Sequence, residues 1–223
     1  TEDDQELRAF LQQDLGERLN LEAESEGVKI KIRGAIADDV QTLVFYEIED
    51  TQEDHQYFMD SYDGVFVEND YEIMNTEAYP RYYPPDLESE VNNEEKNVYQ
   101  GKISLQPLRK DKGTIKLKIT RLQKFIRDSS DENGIGAYGS MEYTGEWNFE
   151  FPVTKQPSVE YALDGETEVD GIPVRFDKLT IAPTATVLRY GINIEQREKR
   201  IDSLNFNNLK VNNKKVKADM YGS

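Results

Sequence analysis

Gly27-Val28-Lys29-Ile30-Lys31-Ile32-Arg33 places an apolar side chain at every second position and a cation between each pair. A period of two sends Val28, Ile30 and Ile32 to a buried face and Lys29, Lys31 and Arg33 to water, which is the signature of a half-buried strand. Ala37-Asp38-Asp39 supplies a turn, and a second strand runs from Thr42 to Ile48. Leu43 and Phe45 share one face of it, with Ile48 as a candidate third member, and Val44 and Tyr46 take the other.

The same text returns 144 residues later. Gly27, Thr42, Tyr46 and Ile48 have counterparts in Gly171, Thr186, Tyr190 and Ile192 at one constant offset, with the alternation kept between them. A shared offset without gaps supports two similar β-domains, and chance likeness of amphipathic hairpins is the alternative. Further β-rich stretches are Tyr57–Phe58, Val65–Phe66, Tyr71–Met74, Val98–Leu105, Gly113–Phe125 and Gly145–Val153. Ahead of all of them, Leu7, Phe10, Leu11 and Leu15 line one side of a helix over Asp4–Leu15, with Asp3 and Asp4 to cap it and Gly16 to stop it. Its apolar stripe packs on the protein's own sheet or carries a partner contact.

The fold expected is therefore all-β, with two immunoglobulin-like β-sandwich domains behind a short N-terminal helix. Pro157 and its polar neighbours Thr154, Lys155 and Gln156 mark the joint, giving residues 1–154 and 155–223 as the two domains. The second is short for a full sandwich and is either minimal or truncated.

Composition excludes several functions. The 223 residues carry 44 acidic and 27 basic side chains, a net charge of −17 that repels phosphate backbones, so no nucleic-acid partner is expected. Residues 1–100 hold 27 acids and 7 bases (net −20), whereas residues 101–223 hold 17 and 20 (net +3). With no Cys and a single His, His55, there is no thiolate or multi-histidine metal site and no cysteine nucleophile. No apolar run reaches the length of a membrane helix, so this stretch does not span a bilayer, and its start at Thr1 suggests a piece whose targeting segment lies upstream.

The remaining motifs carry little chemistry. Gly134-Ile-Gly136-Ala-Tyr-Gly139 has the letters of a dinucleotide cradle but sits in a polar turn rather than between a strand and a helix. Asp128-Ser-Ser-Asp131-Glu132-Asn133-Gly134 offers oxygen ligands, yet a calcium loop read from Ser129 ends on Ser140 where a bidentate Glu belongs. His55 has no nucleophile elbow to serve and its neighbours are those of an exposed loop. No catalytic residue, cofactor or metal is therefore assigned. The stretch Asn75–Asn97 differs in kind: Pro80, Pro84 and Pro85 forbid regular structure, and Tyr79, Tyr82 and Tyr83 stand among them. Those rings are a platform for a partner or glycan, or else an anchor folded back on the sheet.

Leu15-Gly16-Glu-Arg-Leu19-Asn20, Gly27 through Asp39 and Leu43-Val-Phe-Tyr-Glu-Ile48 resemble the opening of a family of ectodomains described as negative effectors of extracytoplasmic-function sigma factors. Lys112-Gly-Thr-Ile-Lys-Leu-Lys-Ile-Thr-Arg-Leu and Gly145-Glu-Trp147-Asn-Phe-Glu-Phe-Pro-Val153 resemble that domain's close, and Gly171-Ile-Pro-Val-Arg-Phe through Thr184 resembles the immunoglobulin-like domain that follows it. The resemblance implies a non-enzymatic extracellular sensing or interaction region of a membrane-anchored, anti-sigma-factor-like regulator in a Gram-positive bacterium, on the outer side of the cell membrane. An unidentified envelope ligand or protein would be its partner. The rival reading is a cell-wall-associated carbohydrate-binding or adhesive module, motivated by the tyrosine stretch.

Overall fold

The computed structural model describes residues 2–59, 65–69, 97–127, 138–192, 210–211 and 214–215. These form helix α1 (Glu2–Gln12) and strands β1 (Glu17–Ser25), β2 (Val28–Ala37), β3 (Thr42–Asp50), β4 (Tyr57–Phe58), β5 (Val65–Asn69), β6 (Val98–Leu105), β7 (Lys112–Arg127), β8 (Tyr138–Thr154), β9 (Val159–Val169), β10 (Ile172–Ile181), β11 (Thr186–Ile192), β12 (Lys210–Val211) and β13 (Lys214–Lys215). The chain is all-β with one short N-terminal helix. The strand expected at Tyr71–Met74 lies outside the described residues. Two compact units are distinguished, residues 1–162 with 178–188, and residues 163–177 with 189–223.

In the first unit β1, β2, β3 and β6 make an antiparallel sheet in that order. A second sheet is built on β7, with β8 along one edge and, along the other, β5 opposite Ile115–Ile119 and β4 opposite Gln123–Lys124. The sheets face each other across a single core: Val28, Ile30, Ile32, Val44, Tyr46, Ile48 and Ile103 from one side meet Ile115, Leu117, Ile119, Trp147, Phe149 and Phe151 from the other. Each such fully buried aliphatic or aromatic side chain contributes about 1.5–3 kcal/mol, so this layer dominates the stability of the unit. Ile48 belongs here with Val44 and Tyr46, not with Leu43 and Phe45, because strict alternation along β3 gives even positions to the sandwich.

At one margin the sheets are stitched together by side chains. Trp147 Nε1 donates to Val28 O at 2.9 Å, the Glu146 amide donates to Ser25 Oγ at 3.0 Å, and Tyr143 Oη donates to Glu26 O. The β7–β8 register shifts between Ile119 and Arg121, opposite Gly145. A Cβ on Gly145 would lie 2.5 Å from the Trp147 ring and 2.9 Å from Ser25 Oγ, so the fold of the indole under the bulge requires glycine there.

A second bulge, in β2 between Ile32 and Gly34, reverses the alternation: Ala35 and Ala37 now face the sandwich while Ile36 points to the opposite surface. That surface is covered by α1. Leu7 of the helix packs with Ile36, Leu43 and Phe45, with Phe10 and Leu11 against them, so the helix stripe packs on the protein's own sheet. The helix ends sooner than Gly16. Asp14 adopts φ 56°, Leu15 N donates to Phe10 O at 3.0 Å and Asp14 N to Leu11 O at 3.2 Å, a Schellman stop with Asp in the place usually given to Gly. Gly16 serves a different need: a Cβ there would stand 2.7 Å from Ile36 Cγ1 and 2.9 Å from Ala35 O. Asp3 and Asp4 lie within the first turn, where Asp4 pairs with Arg8 at 3.0 Å and Arg33 at 2.8 Å and Asp3 with Lys102 at 3.5 Å.

The 144-residue repeat has a geometric counterpart. β9, β10 and β11 form a three-stranded sheet in the order β11–β10–β9. Strand β10 is β2 displaced by 144 at both ends, and β11 begins 144 after β3. Glu26 and Gly27 have φ of 52° and 76°, and Asp170 and Gly171 have 51° and 74°, so both meanders open on a two-residue turn with positive φ at both positions. Their second turns match as well, Asp38 N donating to Gln41 O and Ala182 N to Ala185 O, each at 3.0 Å. Where the sequence places the joint, Lys155 N donates to Asp111 O and Gln156 N to Ala37 O, both at 2.7 Å, which ties residues 155 and 156 to the first unit.

Candidate functional site

Tyr79, Tyr82 and Tyr83 lie outside the described residues, as does most of the Asp128–Ser140 stretch. The structure instead describes the platform beside Asn97, the residue at which the chain enters β6. Its centre is Asp50, the last residue of β3, whose side chain is only 5% exposed.

Asp50 holds three segments at once. Its Oδ1 accepts from the amides of Gln52 at 3.0 Å and Glu53 at 3.1 Å, and its Oδ2 accepts from the His55 amide at 3.2 Å, which folds Asp50–His55 into a tight turn. Its main chain meets Asn97: Asp50 N donates to Asn97 O at 2.8 Å and Asn97 Nδ2 donates to Asp50 O at 3.2 Å. The next residue closes the circle, Thr51 donating from N and Oγ1 to Gly27 O at 2.9 and 2.8 Å. Glycine suits position 27 because its φ is 76°, a conformation that L side chains rarely adopt.

His55 is half-buried rather than the exposed loop residue expected. Its Nδ1 stands 3.2 Å from Asp50 Oδ2 and 3.0 Å from Glu53 Oε2. The pair acts as a turn cap, since both Asp50 oxygens already accept backbone amides. Burial alone would raise the Asp50 carboxyl, but the Gln52, Glu53 and His55 amides and the His55 ring outweigh it and hold the group below its ordinary value.

Two phenols flank this turn. Tyr57 and Tyr143 meet edge to face with ring centroids 5.0 Å apart. Burial, then the charges of Asp50, Tyr143 and Glu53, push Tyr57 up to about 12, and burial with Glu26, Asp50 and Glu53 raises Tyr143. Both therefore stay neutral, and Tyr143 donates its hydroxyl to Glu26 O. Behind them Phe58 and Phe125 lie 4.5 Å apart, with Tyr99 at 6.4 and 6.1 Å from the two rings, beside Gln56, which donates from Nε2 to Val98 O and accepts the Phe125 amide.

Among the described residues no group of three or more His, Asp or Glu side chains is placed to hold a metal ion, and no helix is long and apolar enough to cross a membrane. The platform can fix a turn and anchor Asn97. Sequence reading passed over Asp50 and Asn97. The signal was local in one case, Asp50-Thr51-Gln52-Glu53 being an Asx-turn sequence, and absent in the other, since Asn97 meets Asp50 across 47 positions.

A family model described as a domain of unknown function, DUF4179, matches residues 1–50, which reach from α1 to the Asp50 hub. No curated protein matches the chain significantly. A crystal structure of a conserved domain protein from Bacillus anthracis is similar at 20% identity and a TM-score of 0.46, over 79% of this chain and 55% of that one. The chain thus spans about half the length of that protein.

Proposed function

We propose that this chain is a non-enzymatic extracellular sensing or interaction region of a membrane-anchored, anti-sigma-factor-like regulator of a Gram-positive cell envelope. The observation that carries the reading is the DUF4179 match over residues 1–50, a domain often found in anti-sigma-factor-like proteins. The platform is in keeping with it. Asp50 and His55 are committed to holding a turn, and Tyr57 and Tyr143 to neutral contacts, an arrangement suited to presenting a surface rather than to making bonds. A sensor works when its ligand binds two states unequally, so the reading requires an envelope component that distinguishes them.

The test is genetic. Removing residues 1–223 from the full-length protein, with the flanking segments left in place, is expected to change the output of a sigma-factor reporter under envelope stress. An unaltered response across cell-wall antibiotics, detergent and acid overturns the reading, and retention of the purified chain on isolated cell wall would then favour the carbohydrate-binding module.

A further inference from the structure

We propose that α1 is a latch, a helix that lifts off its sheet and melts while the sandwich beneath it stays folded. Two separate apolar clusters motivate this. The sandwich core joins both sheets, whereas Leu7, Ile36, Leu43 and Phe45 form a second cluster on the far side of the β1–β6 sheet, with Phe10 and Leu11 packed against it. Only Leu7 of the helix is fully buried in it.

The attachment consists of side chains. α1 adds no strand to the sheet, and the backbone bonds at its end, from Gln13, Asp14 and Leu15 to Phe10 and Leu11, stay within the helix terminus. Around Leu7 the rim is ionic: Asp4 with Arg33 at 2.8 Å, and Lys102 with Glu6 at 2.5 Å and Asp3 at 3.5 Å. Such pairs weaken with salt. The seat is close-fitting, since a Cβ on Gly34 would lie 2.6 Å from Leu7 Cδ1. A helix of 11 residues is not stable alone in water, so undocking and melting are one event. The strands below keep their ladders, because β2 and β3 pair with each other and with β1 and β6 whether or not the helix is seated. Opening uncovers Ile36, Leu43 and Phe45, so the element has a closed and an open state.

Hydrogen exchange of the whole chain tests this, and does so without reference to the function proposed above. Helix amides from Leu7 to Gln12 are expected to exchange at least tenfold faster than the central amides of β2 and β7. Leu7→Ala is expected to speed the helix a further tenfold and leave β7 and β8 unchanged, and 1 M NaCl to speed it severalfold. Asp14→Gly, which relieves the left-handed residue at the stop, is expected to slow the helix severalfold. Exchange of the helix in step with β2, or a Leu7→Ala variant that loosens all strands together, overturns the proposal. So does an Asp14→Gly variant that slows β7 as much as α1.

Discussion

The two meanders, β1–β2–β3 and β9–β10–β11, share their turns and differ in their burial. Both begin with a positive-φ pair, Glu26-Gly27 and Asp170-Gly171, and both close their second turn with a 3.0 Å bond. Yet β3 is buried almost throughout, whereas β11 has no fully buried residue, and β9 is exposed along most of its length. Turn geometry thus follows from a few local residues, while burial follows from what lies on either face. β3 and the second half of β2 sit between α1 and the β7 sheet, which shield both faces from water; α1 covers Ile36 and Phe45, and the cluster with Trp147 and Phe151 takes in Ile30 and Val44. The repeat supplies a scaffold, and its covers make a core out of it.

The side-chain caps also separate the two. Asp38 is fully buried and accepts the amides of Val40 at 2.8 Å, Gln41 at 3.0 Å and Thr184 at 2.8 Å, and the position 144 later is Ala182. Asp50 corresponds to Ile194. The first meander therefore carries two carboxylate hubs at positions where the second has Ala182 and Ile194. Thr184 belongs to the second turn and Asp38 to the first, so the equivalent turns touch. Next to them Asp39 takes Ser158 and Lys155, the latter at 3.2 Å; the Ser158 hydroxyl foremost, with Lys155 and Lys178 and against the effect of burial, lowers its carboxyl.

The largest expected effect comes from equivalent positions 30 and 174. Ile30→Ala opens a cavity in the main core and should cost about 3–4 kcal/mol. Val174→Ala removes two methyl groups from a small sheet and should cost about 1–2 kcal/mol. Trp147, the single tryptophan, sits in the main core, so urea unfolding followed by its fluorescence should shift strongly for the first and hardly at all for the second. Equal shifts would mean that the two meanders melt as one body and that their burial difference has no energetic weight.

How far this contrast could be read in advance depended on what each strand touches. β6 was legible to the residue as Val98–Leu105, and β2 announced itself through Val28, Ile30 and Ile32, because a period of two survives any surroundings. β1 and β9 were not legible. Glu17–Ser25 offers only Leu19, Leu21 and Ala23 on its core side among four charged residues, and Val159–Val169 is similarly rich in acids; each is recognised as a strand through the hairpin turn that folds it back. The parity of Ile48 was legible, since a period of two groups it with Val44 and Tyr46; because both faces of β3 are apolar, only the cover each face meets had to come from the fold. At the site, His55 looked exposed because its partner Asp50 reads as a turn residue until the fold buries it.

A smaller effect tests whether the carboxylate hubs distinguish the meanders. Asp50 has its proton affinity lowered by folding, so the unfolded chain takes up that proton first as the pH falls. The stability it contributes is whole above the ordinary carboxyl value near 3.8 and is lost as the pH falls through the lower folded value. Asp50→Asn keeps an acceptor but not the charge. It should cost about 1–2 kcal/mol at pH 7, and the variant and parent should converge as the pH falls below about 4. Parallel stability curves from pH 7 to pH 2.5 would show that the hub works through shape alone.

The smallest expected change in stability concerns the long stretch between β5 and β6, which follows the first meander in the chain. Its tyrosines Tyr79, Tyr82 and Tyr83 stand beside Pro80, Pro84 and Pro85. Proline limits the freedom of the chain before binding, and each phenol brings apolar area with a polar tip, so a contact made there loses little entropy for the area it covers. The core described around Asp50, Tyr57 and Trp147 is closed by its own side chains, with Gln56, Asn97 and Tyr143 bonded to backbone carbonyls. Replacing Tyr79, Tyr82 and Tyr83 together with Ala should leave the melting temperature within about 2 °C of the parent, an effect below ~0.5 kcal/mol for a chain of this size. Retention on isolated cell envelopes, where the proposed sensing role or the rival carbohydrate-binding one would place it, should fall at least tenfold. Loss of stability in proportion to loss of retention would make the rings part of the core, and the burial of the first meander would then owe them a share.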